Sequence, residues 1–381
     1  MQPPRTRTVV VCIDGVDPRY LEDAFARELT PRLRELSEHG TYVLARSQLP
    51  SFTNPNNVSI VTGEPASVHG IPGNHYLDGG DEEVQLVDPR FLRVETILAR
   101  VAAGGGRVLA VTTKEKLRGL LGAGGVTAVS AERADEQAVD GVGVVAELVS
   151  RRKPGIYDWD CSHYALELGL ALSARLETQL LYVSLTDFVQ HSAAPGEPMS
   201  DLYLVRLDEL VGAYLDDGWR VGLVADHGMN PKPKVTYLGD VLDAEGLRSA
   251  RVVLPITDPY VVHHAALGSA CWIHAEPDEL QRVAELVAAQ PGVDEVLGRD
   301  QAAVELELPA DRIGDLVVLA DAETALGRRR AEHDLGALRG TLRSHGGRHE
   351  QRVPIVLSER VEIPEDVRNR DVHHLLLGVA E

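Results

Sequence analysis

The hydrophobic residues of this chain fall into short continuous runs, separated by stretches with helical periodicity. Continuous apolar runs are typical of parallel strands, because helices cover both faces of such a sheet. Four runs predict strands at residues 9–13, 108–111, 180–185 and 221–225. Helical patterns predict helices at residues 31–39, 94–103, 137–150 and 164–176. This alternation predicts the α/β class, with a mostly parallel central sheet sandwiched by helices.

The pattern changes after about residue 234. The following stretch has strand and helix signals of its own, among them SACWIHA, PDELQRVAELVAAQ and DRIGDLVVLA. The chain then returns to a core-like pattern with SHGG and a final strand at residues 353–357. We therefore expect a core formed by residues 1–234 and 341–381, and an inserted α+β cap subdomain formed by residues 235–340.

Composition narrows the range of partners and locations. The formal net charge of −20 argues against nucleic acid and anionic membranes as partners. No apolar stretch approaches the roughly 18 residues of a membrane helix, and no hydrophobic signal core precedes the first strand. The three cysteines, Cys12, Cys161 and Cys271, show no CxxC pair or disulfide spacing. The predicted location is the cytoplasm, with no membrane partner.

Polar residues with metal-ligand chemistry follow the predicted strands or lie in glycine-rich loops. Since the carboxyl ends of parallel strands meet at one edge of a sheet, we expect most of these side chains to converge. Carboxylates and imidazoles in these numbers suit two zinc ions, with iron or manganese as substitutes. The candidates are Asp14 after VVVCI, Thr53 in SFTNPNN, Asp187 and His191 in SLTDFVQH, Asp226 and His227 after VGLVA, and His345 in SHGG.

Each candidate also has an ordinary structural interpretation. A strand-end carboxylate such as Asp14 is often a turn or cap residue, and SHGG is also an ordinary turn. Thr53 precedes Pro55, which is typical of a helix N-cap followed by proline in the first turn. A threonine hydroxyl at a helix N-terminus that also meets a metal is, however, placed to become a nucleophile. The joint pattern favours the second interpretation, since seven positions would otherwise have to agree by coincidence.

Three further residues are candidates for binding an anion at the same edge. Lys114 and Lys116 lie in TTKEK, directly after the predicted strand at residues 108–111. They are either a solvated charged turn or a clamp for a negatively charged substrate. Asn74 in PGNHY is either a turn residue or a donor to a phosphoryl oxygen.

The order Asp…Thr…Asp-x-x-x-His…Asp-His…His resembles that of the alkaline phosphatase superfamily, particularly its nucleotide pyrophosphatase/phosphodiesterase-like branch. Within that branch, four segments resemble the phosphonoacetate hydrolase family: FTNPNNVSIVTG, GIPGNHYLD, TKEK and RSHGG-x-x-EQ-x-VP. The resemblance extends from residue 9 to about residue 357 and is weakest across the predicted insertion. It implies an alkaline-phosphatase-like catalytic core.

The resemblance also implies an activity: hydrolysis of the C–P bond of phosphonoacetate to acetate and phosphate, through a phosphothreonine intermediate. The implied substrate is a small anionic phosphonate, and a homodimer is left open. Thr53 would be the nucleophile, and Asn74, Lys114 and Lys116 would bind substrate. One zinc ion would be held by Asp187, His191 and His345, and the other by Asp14, Asp226, His227 and the Thr53 oxygen.

Two rival functions remain at this point. A phosphodiesterase or nucleotide pyrophosphatase on the same scaffold would cleave P–O bonds, but it would need pockets for a base or lipid. An aromatic content of only 4 % and the paired lysines favour a small charged substrate instead. A binding protein without activity would be expected to lack ligands, and all seven are present. The adjacent histidines His263 and His264, like His373 and His374, are not assigned to a metal.

Overall fold

The structure is a computed structural model of the chain. It describes residues 1–79, 82–256, 267–333, 335–337 and 340–378. The histidines at 263 and 264 lie outside these ranges. The strands are β1 Thr8–Cys12, β2 Thr41–Arg46, β3 His75–Leu77, β4 Glu83–Gln85, β5 Val108–Thr112, β6 Thr127–Ser130, β7 Ala138–Val139, β8 Gly143–Val144, β9 Leu180–Ser184, β10 Arg220–Val224, β11 Asn230–Pro231, β12 Lys234–Tyr237, β13 Arg251–Val253, β14 Ala270–His274, β15 Val293–Gly298, β16 Leu316–Ala320, β17 Thr324–Gly327, β18 Arg343–Ser344 and β19 Arg352–Leu357.

The helices in the same part of the chain are α1 Pro18–Ala26, α2 Pro31–His39, α3 Thr53–Thr62, α4 Ala66–His69, α5 Ile97–Ala103, α6 Glu115–Leu121, α7 Cys161–Leu176, α8 Phe188–Ser192, α9 Pro198–Asp216, α10 Leu238–Ala244, α11 Leu280–Ala288, α12 Arg299–Glu305 and α13 Val372–Leu377. None of the described helices is both long and apolar enough to cross a bilayer.

The central sheet has seven strands in the order β2-β19-β10-β1-β9-β5-β6. The five strands from β10 to β6 are parallel, whereas β19 runs antiparallel to both of its neighbours, β10 and the edge strand β2. The strands β1, β5 and β9 are buried along their whole length, as their continuous apolar sequences require. The predicted fold class, a mostly parallel sheet between helices, is confirmed.

The helix predictions succeed except in one segment. Helix α2 coincides with the predicted residues 31–39, α7 contains the predicted residues 164–176, and α5 begins three residues later than predicted. The helix predicted at residues 137–150 is wrong, because the short hairpin of β7 and β8 occupies much of this segment. Gly141 and Gly143 have φ angles of +76° and +95°, which a right-handed helix cannot contain.

A second, antiparallel sheet lies within the predicted insertion and has the strand order β13-β14-β16-β15. It packs against the start of α3, because Phe52 and Leu49 share one buried apolar cluster with Trp272 and Ile256. The division of the chain into a core and a cap stays a prediction, which this packing neither requires nor opposes.

The two segments that flank this region lie side by side. The short strand β11 pairs with β18, and the Lys232 amide donates to the Leu342 carbonyl at 2.7 Å. The chain therefore returns beside the residues that follow β10. This pairing brings the SHGG loop, which is late in sequence, to the carboxyl edge of the central sheet.

Candidate metal centre and active site

The first group of candidate ligands consists of Asp187, His191 and His345. Asp187 is the N-cap of α8 and His191 lies one turn later, so both side chains share a face of this short helix. The His191 Nε2 atom lies 3.0 Å from Asp187 Oδ2, and His345 Nε2 lies 3.6 Å from the same oxygen. One ligand atom from each residue falls within 4.8 Å of the others, which is the spacing that a shared metal ion requires.

The second group is formed around the ends of β1 and β10. His227 Nε2 lies 3.2 Å from Asp14 Oδ1 and 3.6 Å from Asp226 Oδ2. Asp14, Asp187 and His227 have ligand atoms within 4.8 Å of one another, so Asp187 stands between the two groups. Gly15 allows this convergence, because its φ is +70° and a Cβ there would lie 2.9 Å from the Asp187 Cβ.

All three imidazoles are oriented by backbone carbonyl groups. A carbonyl oxygen can only accept, so each Nδ1 donates its proton to the backbone and each Nε2 faces the cluster as the atom that can bind a metal. This orientation is the one that a metal-binding histidine needs. The Nδ1 atoms of His191, His345 and His227 lie 2.7 Å from Arg343 O, 2.7 Å from Ser51 O and 3.0 Å from Gly228 O, respectively.

Thr53 is the first residue of α3, and Phe52 is the N-cap, with no side-chain cap hydrogen bond. The alternative in which Thr53 caps this helix is therefore wrong. Its Oγ1 instead lies 3.3 Å from His227 Nε2, at the second ligand group. Asn57 supports this position, since its Nδ2 donates to Thr53 O at 3.0 Å and to Asp226 Oδ2 at 3.4 Å.

The buried carboxylates strongly affect one another. Burial and the charge of Asp14 raise the pKa of Asp226 well above its usual value. Burial also opposes ionisation of Asp187, but the Lys114 ammonium and His191 outweigh it and lower the pKa of Asp187 well below its usual value. Burial opposes charge on His227 as well, yet Asp226 and Asp14 raise the pKa of His227 to about 9. This cluster attracts cations.

The lysine at position 114 is within the ligand cluster rather than at its rim. Lys114 Nζ lies 2.9 Å from Asp14 Oδ2 and 2.9 Å from Asp187 Oδ1, and only 3 % of its side chain is exposed. Strand β5 is next to β9 in the sheet, which is why the residue after β5 reaches the residue after β9. The Lys114 side chain is thus the local counter-charge for two of the three carboxylates.

Asn74 and Lys116 complete a pocket at this edge of the sheet. Asn74 is held by its backbone, since its amide donates to Pro255 O at 2.8 Å and its carbonyl accepts from Leu86 N at 2.8 Å. The sequence reasoning missed two apolar wall residues, Phe52 and Ile256, because one apolar residue beside a motif gives no signal of a pocket. The full lining is Phe52, Thr53, Asn74, Lys114, Lys116, Asp187, Ile256 and His345.

The donor set fits divalent cations. Oriented Nε2 atoms and carboxylate oxygens are the ligands that zinc prefers, and Asp14 Oδ1 lies 3.2 Å from His227 Nε2 within the buried cluster. Burial and the charge of Asp14 hold the pKa of Asp226 well above its usual value, and divalent cations would supply the positive charge that favours its ionised form. The ten predicted site residues thus lie together at one edge of the sheet: Asp14, Thr53, Asn74, Lys114, Lys116, Asp187, His191, Asp226, His227 and His345.

A mostly parallel sheet with this cluster at its carboxyl edge and a threonine at the adjoining helix start defines a hydrolase of the alkaline phosphatase superfamily. The chain belongs to the type I phosphodiesterase / nucleotide pyrophosphatase family, whose sequence model matches residues 8–349.

Among solved structures, the chain is similar over nearly its whole length to the phosphonoacetate hydrolase of Sinorhizobium meliloti 1021. In the complex with phosphonoformate, the enzyme chain is 40 % identical to this chain in sequence, with a TM-score of 0.93. The match covers 99 % of this chain and 96 % of the enzyme chain. The complex with phosphonoacetate gives 39 % identity, the same TM-score of 0.93 and the same coverage of 99 % and 96 %. The predicted resemblance to this family is confirmed.

A more distant similarity concerns the fold alone. The murine ectonucleotide pyrophosphatase / phosphodiesterase 5, in an inactive form in complex with AMP, is 17 % identical with a TM-score of 0.67. The match covers 99 % of this chain and 96 % of the murine chain, so the scaffold is shared along its length.

Proposed function

We propose that this protein is a metal-dependent hydrolase that cleaves the C–P bond of phosphonoacetate to give acetate and phosphate. The observation that carries the proposal is the Thr53 hydroxyl, which lies 3.3 Å from His227 Nε2 in a pocket that also contains two lysines. The similarity to an enzyme bound to phosphonoacetate and to phosphonoformate supports the choice of substrate.

In the proposed reaction, the Thr53 hydroxyl loses its proton to solvent, its Oγ1 attacks phosphorus, and the P–C bond breaks. The electron pair of that bond passes to the methylene carbon and delocalises into the substrate carboxylate, and a proton from water completes acetate. A second water then hydrolyses the phosphothreonine, releasing phosphate and restoring Thr53. When bound, the two zinc ions would lower the pKa of the Thr53 hydroxyl and offset negative charge on the phosphonate oxygens.

Each ligand group would hold one of these ions. Asp187, His191 and His345 would hold the first, whereas Asp14, Asp226 and His227 would hold the second together with Thr53. Iron or manganese would fit the same nitrogen and oxygen ligands, so the choice among metals depends on their availability. Metal analysis of the purified protein tests this proposal, with about two ions per chain expected.

The charge of the pocket favours a highly charged substrate. Lys114 offsets the carboxylates of Asp14 and Asp187, and the half-buried Lys116 adds a second positive charge to the lining. Lys116 is the residue we assign to the substrate carboxylate, where it would stabilise the charge that develops during C–P cleavage. Asn74 would donate to a phosphonyl oxygen.

The rival function is a phosphodiesterase or nucleotide pyrophosphatase, which this family and its fold also support. Two product assays separate the two functions: phosphate release measures turnover of phosphonoacetate and other phosphonates, and release of the alcohol or nucleotide product measures turnover of phosphodiesters, which yield no free phosphate. We expect phosphonoacetate to give the highest kcat/KM of the panel. A phosphodiester or dinucleotide substrate that surpasses it by tenfold or more would refute the proposal in favour of P–O cleavage.

The cytoplasmic location and the homodimer stay predictions. Light scattering coupled to size-exclusion chromatography would measure the mass of the particle. A value near twice the 41.3 kDa chain mass would support the dimer.

A further inference from the structure

Lys232 and Glu350 form a buried ion pair beside the two ligand groups, but they belong to neither. Lys232 Nζ lies 2.9 Å from Glu350 Oε1, and both side chains are 0 % exposed. The same Glu350 oxygen accepts from Asn230 Nδ2 at 2.6 Å, and Lys232 Nζ also donates to Ala322 O at 3.0 Å. A buried ion pair is costly to desolvate and is weak evidence of a stabilising role, so its position suggests another role.

Glu350 connects the two loops that carry metal-ligand histidines. Its Oε2 accepts from the Gly347 amide at 3.0 Å, two residues beyond His345. Its main-chain carbonyl accepts from the Gly228 amide at 2.7 Å, directly after His227. One residue therefore holds the backbone next to an imidazole of each ligand group.

The SHGG loop is held from its other side by Ser51. The Ser51 hydroxyl donates to Gly347 O at 2.7 Å and its amide donates to Gly346 O at 3.1 Å. Its carbonyl accepts from His345 Nδ1 at 2.7 Å. Between Ser51 and Glu350 the loop has little freedom, so a change at Glu350 will be transmitted to the His345 ring.

We propose that Glu350, held in place by Lys232, is a positioning residue that fixes His345 relative to His227 and thereby sets the metal affinity of both ligand groups. The two rings stack with centroids 3.6 Å apart and an interplanar angle of 6°, so a small shift of one loop changes the separation of their Nε2 atoms. This inference rests on the proposed function only in assuming that these histidines bind metal.

The test is a chelator titration of zinc-loaded protein, which gives the zinc dissociation constants without using activity. Three donors converge on Glu350, from Lys232, Asn230 and Gly347, and the side chain of a Glu350→Gln variant offers only one acceptor oxygen to them. We expect this variant to bind at least one zinc ion 10–100-fold more weakly, as is typical when a partner of a metal ligand is lost.

A neighbouring ion pair provides the matched control. Arg348 lies in the same loop and pairs with Glu295 on β15, without contacting a ligand histidine. The Glu295→Gln variant should keep wild-type zinc affinity. Wild-type affinity in the Glu350→Gln variant, or an equal loss in Glu295→Gln, would overturn the proposal.

A second variant separates positioning from stability. The double change Lys232→Met and Glu350→Leu removes both buried charges, so its thermal unfolding temperature should return towards that of wild type. It still lacks an acceptor for the Gly347 amide, and we therefore expect zinc binding to remain weak. Recovery of zinc affinity together with stability would reduce the pair to a purely structural role. If the wild-type protein bound none of zinc, iron and manganese, the proposed function would fail along with this inference.

Discussion

The position of Lys114 gives the strongest quantitative prediction. Its ammonium lies 2.9 Å from one oxygen each of Asp14 and Asp187, and these three side chains are 3 %, 0 % and 2 % exposed. At an effective dielectric constant of about 20, each contact contributes roughly 6 kcal/mol before the cost of desolvation is counted. Replacing Lys114 by methionine would keep the size of the side chain but leave two buried carboxylates without this cation.

Removing one partner of a buried ion pair typically costs about 3–5 kcal/mol. For a chain of 381 residues, the entropy of unfolding is roughly 0.8 kcal/mol per degree, so a loss of about 4 kcal/mol lowers the melting temperature by about 5 °C. We expect this decrease in the Lys114→Met variant when a chelator is present. Excess zinc should reduce the difference from wild type, because a divalent cation would then neutralise the same carboxylates.

Differential scanning calorimetry with chelator and with zinc measures both effects. The control is Lys234→Met, since Lys234 pairs with Glu323 on the surface and both side chains are more than 60 % exposed. This control should melt close to wild type under both conditions. A decrease below 1 °C for Lys114→Met in chelator, or an equal decrease with and without zinc, would refute the reasoning.

Three further predictions concern the nucleophile, the substrate clamp and pH. Thr53→Ala should abolish turnover of phosphonoacetate while elemental analysis finds a nearly unchanged zinc content, and full activity would remove Thr53 from its role. Lys116→Met should raise the KM for phosphonoacetate at least tenfold more than that for an aryl phosphate ester without a carboxylate; equal losses would contradict a carboxylate clamp. Burial lowers the pKa of His69 from 6.5 to about 3, so the folded state keeps His69 neutral where the unfolded state gains a proton. Stability is therefore lost as the pH falls from 6.5 towards 3. Between about pH 6 and 4, the free energy of unfolding measured with urea should rise with pH less steeply in His69→Gln than in wild type, by about 1.4 kcal/mol per pH unit. An unchanged slope would contradict this prediction.

The sequence predicted the parallel sheet and the convergence of its polar residues well, because buried parallel strands have an unambiguous apolar signal. Asp14, Asp187 and Asp226 each follow such a strand, and the strand order places these three strand ends next to one another. His345 could be placed only through the family resemblance. Its loop follows the short strand β18, whose pairing with β11 has no sequence pattern that could be recognised.

Charged residues were harder to place, because a sequence pattern does not show which of them are buried. Of the two interpretations of Lys114, the solvated surface turn is wrong because its buried ammonium contacts two ligand carboxylates, and its role in binding substrate stays a prediction. Lys232 and Glu350 resemble ordinary surface residues in sequence, yet both are buried. The failed helix at residues 137–150 had a related cause, since the positive φ angles of its glycines outweighed an otherwise helical pattern.

The packing of Phe52 ties the four-stranded sheet to the rest of the molecule. This ring is 1 % exposed and shares an apolar cluster with Trp272 in the four-stranded sheet. A hinge motion that swung this sheet away would expose the ring to water, at a cost of about 1.5–3 kcal/mol for Phe52 alone. An open arrangement of this sheet is therefore expected to be a minor state of the protein rather than its resting form.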